Sequence, residues 1–167
     1  PLYSSAASDV YKRQAGKALS ELVGMALADA EHIDIYSCFP SAVQISAEEF
    51  DIDIERQLTV TGGLAYSGGP MNNYVLQSLA AMTKILRNNP GDHGLVSGIG
   101  GWMGKHALGL YSTDKPVNGY CYKNCKDLVA DQPQREYIDD YQGDAMIETY
   151  ALDLSLIHIS EPTRRRG

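Results

Sequence analysis

Apolar residues recur every three or four positions in two stretches of the chain and form short runs in several others. The spacing predicts one helix over Ala18–Ala30 and another that ends at Asn88-Asn89-Pro90-Gly91, where proline and glycine stop it. A further helix begins at Pro40, because proline suits a first helical turn. Short runs rich in β-branched and other apolar residues predict strands at His32–Tyr36, Leu58–Thr61, Gly94–Ile99 and Ala107–Tyr111.

This alternation of strands and helices predicts a layered α/β domain over residues 15–115. The composition changes after Pro116, and residues 116–154 carry one clear strand pattern, Ala145–Leu152, which indicates the start of a small β-rich domain that is cut short. The ends, 1–14 and 155–167, show no periodicity continuous with their neighbours. Their strings SDVYKRQ and LSLIHISEPTRR resemble translated sequencing-adapter DNA. We therefore expect both ends to be extraneous; natural disordered tails are the alternative.

Composition excludes several classes of function. The chain has 167 residues, of which 44% are hydrophobic and 21% charged, and no apolar run approaches the about 20 residues that cross a bilayer. A formal net charge of −7 argues against a nucleic-acid partner. Three cysteines at irregular spacing (Cys38, Cys121 and Cys125) favour a reduced, cytoplasmic setting over a disulfide framework, and the sequence predicts no metal site.

Three places carry residues suited to chemistry. Cys38 follows a predicted strand and precedes a helix, a position that can lower a thiol pKa, although free cysteines more often pack as small hydrophobes. Two glycine pairs within Gly62–Asn73 allow backbone N–H groups to approach an anion closely, but they lack the dinucleotide-binding spacing. His106, beside Lys105, is an acid/base candidate, with a purely structural histidine as the alternative.

The same places resemble one family. The blocks DIYSCFPSAVQ (Asp34–Gln44), LTVTGGLAYSGGPMNNY (Leu58–Tyr74) and GLVSGIGGWMGKHALGLYST (Gly94–Thr113) are similar, in order and spacing, to the C-terminal half of acetyl-CoA acetyltransferase-like proteins. These belong to the thiolase superfamily, in a branch near the sterol-carrier-protein type. The string GDAMIETYALDL, within 143–154, is similar to the additional C-terminal domain of that branch. The resemblance implies the C-terminal lobe of a thiolase-like layered α/β fold.

The resemblance also implies a Claisen condensation, or its reverse, between acyl-CoA thioesters, with the nucleophilic cysteine in an N-terminal half that this chain lacks. Tyr36 stands where familiar thiolases have an Asn or His of an oxyanion hole. Gly69 stands where they have the histidine that activates the nucleophile, and their later cysteine falls near Gly98. We therefore expect His106, with Cys38, to replace these acid/base groups. The expected substrate contacts are Tyr36, Gly62, Gly63, Gly68, Gly69, Asn72, Asn73, Gly100, Gly101 and Lys105.

Two functions follow from the resemblance. The first is an acyltransferase that takes a coenzyme A thioester as substrate, needs no permanently bound cofactor, and forms a homodimer when intact. The second is a non-catalytic thiolase-fold subunit that binds CoA esters or acts as a scaffold, in some assemblies with a small partner protein. A nucleotide-binding α/β domain ranks last. The expectation behind the first two functions is that the glycine turns and His106 converge on one pocket; a Gly62–Asn73 turn far from both Cys38 and His106 would contradict it.

Overall fold

The computed structural model describes residues 5–101, 104–116, 119–130, 138 and 140–146. The chain divides into two compact units, Pro1–Gln132 and Pro133–Gly167. The helices, strands and cavities considered below all lie in the first unit. Its elements, in chain order, are α1 (Ser5–Val23), a 3₁₀ helix (Leu27–Asp29), β1 (His32–Asp34), α2 (Pro40–Glu49), α3 (Leu64–Ser67), α4 (Tyr74–Asn88), β2 (His93–Gly100), β3 (Lys105–Ser112) and α5 (Lys126–Ala130).

The three strands form one mixed sheet in the order β1-β2-β3. β1 runs parallel to β2, with Asp34 beside Val96, and β2 pairs antiparallel with β3, with Ile99 beside His106. The parallel pair requires a long crossover, and helices α2, α3 and α4 supply it. The crossover therefore begins at the end of β1 and returns to the sheet at the start of β2.

The sheet is packed on both faces, because neighbouring side chains of a strand point to opposite sides. Leu95 belongs to the larger core cluster, with Ile33, Ile35 and Phe50, whereas Val96 packs with Met82 and Leu86 of α4. Gly16 of α1 allows close packing here, since a Cβ at that position would lie 2.8 Å from Cδ1 of Phe50. The predicted layered α/β architecture is confirmed.

Most predicted elements are present with shifted ends. The helices at Pro40 and before Asn88 and the two strands flanking residue 102 are confirmed. The predicted helix over Ala18–Ala30 is only partly right, because α1 ends at Val23 and a 3₁₀ turn follows. The strand predicted at Leu58–Thr61 is wrong. Its segment carries no strand, because the N–H groups of Val60 and Thr61 bond to a buried carboxylate instead of a neighbouring strand.

The predicted N-terminal tail is helical over Ser5–Gln14, so the expectation of no continuous periodicity there is wrong. Lys12 is buried and its Nζ donates to the carbonyl oxygen of Ala42 at 2.9 Å. The origin of this segment stays a prediction, as does the domain division. Residues 155–167 and most of the strand predicted at Ala145–Leu152 lie outside the described residues. Among the described residues of 116–154, the helix α5 is the one regular element.

Candidate functional site

A cavity of about 510 Å³ opens where the chain leaves the sheet after β1. We call it the β1 cleft. One wall is the segment that connects β1 to α2, with Ser37 and Cys38, and the opposite wall is the turn at Gly62 and Gly63. Apolar side chains complete the lining, among them Ile35, Val43, Leu58 and Leu64. The structure therefore brings together two of the three features that the sequence singled out.

The glycine turn needs glycine for two reasons. Gly62 and Gly63 have φ values of 86° and 77°, a region that L-residues rarely adopt. A Cβ on Gly63 would also lie 2.6 Å from Oγ of Ser37. That hydroxyl oxygen accepts a hydrogen bond from the N–H of Leu64 at 2.9 Å, which ties the start of α3 to the β1–α2 connection. The two walls of the cleft are thus in direct contact.

A buried carboxylate organises the segment that precedes the turn. Asp34, the last residue of β1, is 0% exposed. Its Oδ2 accepts hydrogen bonds from the hydroxyl of Thr59 at 2.9 Å and from the N–H groups of Val60 and Thr61 at 2.9 and 3.3 Å. Its Oδ1 accepts from the hydroxyl of Tyr74 at 3.0 Å. A buried charged group needs such partners, since burial without them is costly.

The sequence analysis missed Asp34. The available signal was a carboxylate inside a run of buried aliphatic residues, between Ile33 and Ile35, because acidic residues are rarely fully buried without partners. It also missed the threonines Thr59 and Thr61, whose alternation was interpreted as a strand. Their hydroxyl groups instead contact each other at 3.2 Å beside Asp34.

The thiol of Cys38 is partly buried in the cleft. Burial raises the pKa of this thiol, and the N–H groups of Phe39 and of Cys38 itself oppose the rise without cancelling it. The start of α2 therefore does not lower this pKa, and the alternative of a partly buried, packed cysteine agrees with the structure. A thiol with a raised pKa is protonated at neutral pH and is a poor nucleophile.

His106 lies elsewhere. It sits on β3, where its ring faces Tyr11 of α1 with centroids 5.4 Å apart, and it lines a different cavity of about 790 Å³ between α1, β3 and the segment around Cys121. Neither Cys38 nor the glycine turn lines that second cavity. The expectation of a single shared pocket is therefore wrong for His106, because side-chain alternation on β3 directs this ring toward α1.

Comparison with solved structures places this chain beside a thiolase-like protein. No protein-family model matches the chain, and no curated protein matches it. The crystal structure of a monomeric SCP2-thiolase like protein type 1 from Mycobacterium smegmatis is similar to it, with a TM-score of 0.63 and 32% sequence identity. The match covers 71% of this chain and 28% of that one.

The chain has a thiolase-like α/β fold. The chain matches little more than a quarter of its solved relative, so the activity and assembly of a whole thiolase-like protein do not transfer with the fold. The fold agrees with the resemblance in the three sequence blocks, since the first block holds the Cys38 side of the β1 cleft and the second holds its glycine turn. The third block forms β2 and β3, two of the three strands of the sheet.

The remaining predicted contacts lie outside both cavities of this thiolase-like unit. Tyr36 packs its ring edge-on against Tyr74, with centroids 5.4 Å apart, and its N–H donates to Oγ of Ser97 at 2.9 Å. The other predicted contacts that line neither cavity are exposed, in loops or at strand ends: Gly68, Gly69, Asn72, Asn73, Gly100, Gly101 and Lys105. Among the predicted substrate contacts, only Gly62 and Gly63 border the β1 cleft.

Two further expectations concern the part of the chain that the structure describes. There, no group of three or more His, Cys, Asp or Glu side chains is placed to hold a metal ion. Within the same residues, no helix has both the length and the apolar character to cross a membrane.

Proposed function

We propose that this chain is part of a thiolase-fold protein that binds an acyl-CoA thioester, and that the thioester end lies in the β1 cleft. One observation carries the proposal: in a thiolase-like fold, a thiol and a strained glycine turn face each other across an apolar cavity at the end of a parallel strand. Ligands of open α/β sheets bind at the carboxyl ends of strands.

The chemistry of the cleft suits a thioester. Its apolar lining accepts a short acyl chain, and an apolar surrounding strengthens hydrogen bonds to a polarised carbonyl. The N–H of Gly62 has no hydrogen-bond partner within the described residues, so it can donate to an oxygen that enters. Cys38, protonated at neutral pH, serves as a proton donor in this arrangement and not as the group that takes up the acyl chain.

In the enzymatic form of the proposal, the intact protein transfers acyl groups in a Claisen condensation or its reverse. In the reverse direction, a cysteine supplied by another part of the protein attacks the 3-oxo carbon and takes the acyl group, the carbon–carbon bond breaks, and the released enolate carbon takes the proton of Cys38. Condensation runs the same steps backwards, with the Cys38 thiolate taking up that proton. His106 stays a predicted acid/base residue, although its separate cavity gives it no contact with Cys38. A homodimer, a small partner protein and a cytoplasmic location also stay predictions; the solved relative is itself described as monomeric.

Binding is tested on this chain by protection of Cys38. In the variant Cys121→Ser/Cys125→Ser, Cys38 is the sole remaining cysteine, and its alkylation by iodoacetamide reports on access to the cleft. We expect acetyl-CoA to slow the alkylation and ATP, a polyanion without an acyl thioester, to leave it unchanged. Equal rates with and without acetyl-CoA would contradict the proposal.

The non-catalytic alternative rests on Gly69, which stands in place of the histidine expected from the resemblance, and on the raised pKa of Cys38. Mass spectrometry of the intact protein after incubation with acetyl-CoA separates the two functions. A covalent acyl-enzyme supports the transferase. Protection of Cys38 without any acyl-enzyme supports a CoA-ester-binding subunit.

A second measurement distinguishes the two acid/base candidates in an active intact protein. Removal of a general acid costs about 100-fold or more in turnover. If Cys38 acts alone, Cys38→Ala produces this loss and His106→Ala does not. A loss confined to His106→Ala would instead favour the histidine and a rearranged cleft.

A further inference from the structure

The most connected polar group of the described residues lies behind the β1 cleft and not in it. Asp34 is fully buried, and both of its carboxylate oxygens accept hydrogen bonds. Three successive residues, Thr59, Val60 and Thr61, donate to it, and they come immediately before the glycine turn. The N–H groups of this irregular segment thereby gain the hydrogen-bond acceptors that a neighbouring β-strand would otherwise supply.

The hydroxyl groups continue this set of bonds to the turn itself. Oγ1 of Thr61 accepts the N–H of Gly63 at 3.1 Å and lies 2.6 Å from the hydroxyl of Tyr74. Each hydroxyl has one hydrogen. Oγ1 of Thr61 also lies 3.3 Å from Oδ2 of Asp34, so its one hydrogen points either to Tyr74 or to Asp34 itself. In both arrangements the bonds lead from Gly63 through Thr61 to Asp34, directly or by way of Tyr74.

Tyr74 is held in place by its surroundings. Its side chain is buried, and burial raises the pKa of its hydroxyl, so the hydroxyl keeps its hydrogen. The ring of Tyr36 packs edge-on against it and limits its movement. Tyr74 is also the first residue of α4, so the same bonds anchor that helix to the end of β1.

We propose that Asp34 is the positioning residue of the β1 cleft, and that it fixes the Gly62–Gly63 turn through Thr61 and Tyr74. The proposal concerns the shape of the cleft and holds for any ligand, so it does not depend on CoA-ester binding. Asn at position 34 has one acceptor oxygen in place of two. It cannot accept hydrogen bonds from Tyr74 and from the 59–61 segment together, because its amide nitrogen only donates.

The test measures hydrogen exchange of single amides by NMR in the full chain. For Asp34→Asn, we expect exchange at Val60 and Gly63 to accelerate about tenfold, the change that corresponds to the loss of one typical hydrogen bond. Leu86→Val is the matched control, because Leu86 is buried in the other core cluster at the far end of α4. It should destabilise the fold without selectively releasing the turn.

A conservative pair of variants distinguishes positioning from general stability. Thr61→Val removes the hydroxyl that accepts the N–H of Gly63, whereas Thr61→Ser keeps it. We expect Thr61→Val to accelerate exchange at Gly63 and to alter the alkylation rate of Cys38 in the Cys121→Ser/Cys125→Ser background. Thr61→Ser should retain the parent values.

Two outcomes would overturn the proposal. One is that Asp34→Asn accelerates the turn amides no more than Leu86→Val does at equal global stability. The other is that Thr61→Val and Thr61→Ser give the same exchange at Gly63. If Asp34→Asn does not fold, the threonine pair and Tyr74→Phe decide alone, since each changes a single hydroxyl of the same set.

Discussion

Replacing Gly63 by alanine tests the geometry of the cleft most directly, because the chain contains its own control. Gly63 and Gly68 flank the short helix α3 and share nearly the same backbone conformation, with φ of 77° and 79° and ψ of −179° and 167°. A Cβ on Gly68 would meet no atom within 4 Å, whereas one on Gly63 would lie 2.6 Å from Oγ of Ser37. The two alanine variants therefore differ in one steric contact.

The expected free energies of unfolding follow from these distances. Both variants place alanine in a region that is essentially restricted to glycine, which costs about 1–3 kcal/mol. In Gly63→Ala the side chain of Ser37 must also move and release the N–H of Leu64, which adds about 1 kcal/mol for the lost hydrogen bond. We expect Gly63→Ala to destabilise the chain by about 1–2 kcal/mol more than Gly68→Ala does.

Urea unfolding of both variants measures this difference, and Ser37→Ala identifies its source. Without the hydroxyl, the nearest atom of residue 37 to the new Cβ is a Cβ at 3.4 Å, an ordinary contact. On the Ser37→Ala background, Gly63→Ala should cost no more than Gly68→Ala. Equal costs for the two variants in the parent chain would refute the assigned contact between the two walls of the cleft.

Three other predictions concern separate parts of the structure. Because burial raises the pKa of Cys38, its alkylation in the Cys121→Ser/Cys125→Ser chain should be slower at neutral pH than in the same chain unfolded by urea, and the two rates should converge as pH rises above the raised pKa. The N–H of His93, which donates to Glu31, lowers the pKa of that exposed carboxyl. A lowered folded pKa contributes stability above the unfolded value that is lost as pH falls through the folded value, so the small advantage over Glu31→Gln in urea unfolding should disappear on acidification. Gly94→Ala would place a Cβ in steric conflict with Sδ of Met82 and should cost about 1–3 kcal/mol, as overpacking does; on a Met82→Ala background the same substitution should cost less, and unchanged stability in the parent chain would contradict this packing.

The regular elements could be predicted from the sequence because their signals are local. Pro40 begins α2, and Asn89, Pro90 and Gly91 follow the end of α4, as the residue types require. The segment Leu58–Thr61 shows where local signals fail. Its alternation is typical of a strand, but the carboxylate of Asp34, about 25 residues earlier in the chain, captures its N–H groups. Only the tertiary structure reveals that competition.

The site prediction divides in the same way. Cys38 and the glycine turn meet because both lie next to the end of β1, a proximity that follows from the order of strand and crossover. The position of His106 depends on which face of β3 its side chain takes, and on the helix that covers that face. Here α1 covers it, and Tyr11 contacts the ring. A sequence motif that contains His106 carries no information about this contact.

The protonation of Cys38 limits what the β1 cleft can do. A transferase needs a thiolate to accept the acyl group, and the raised pKa of this thiol opposes that role at neutral pH. Because the thiol keeps its proton at neutral pH, the proposed role left for it is to give that proton to a developing negative charge, and Gly62 lines the opposite wall of the cleft. Under the proposed function, the cleft therefore takes the part of a Claisen site that handles protons and negative charge. Acyl transfer would then need a second thiol as the nucleophile, and without one the proposed role of the cleft is limited to binding.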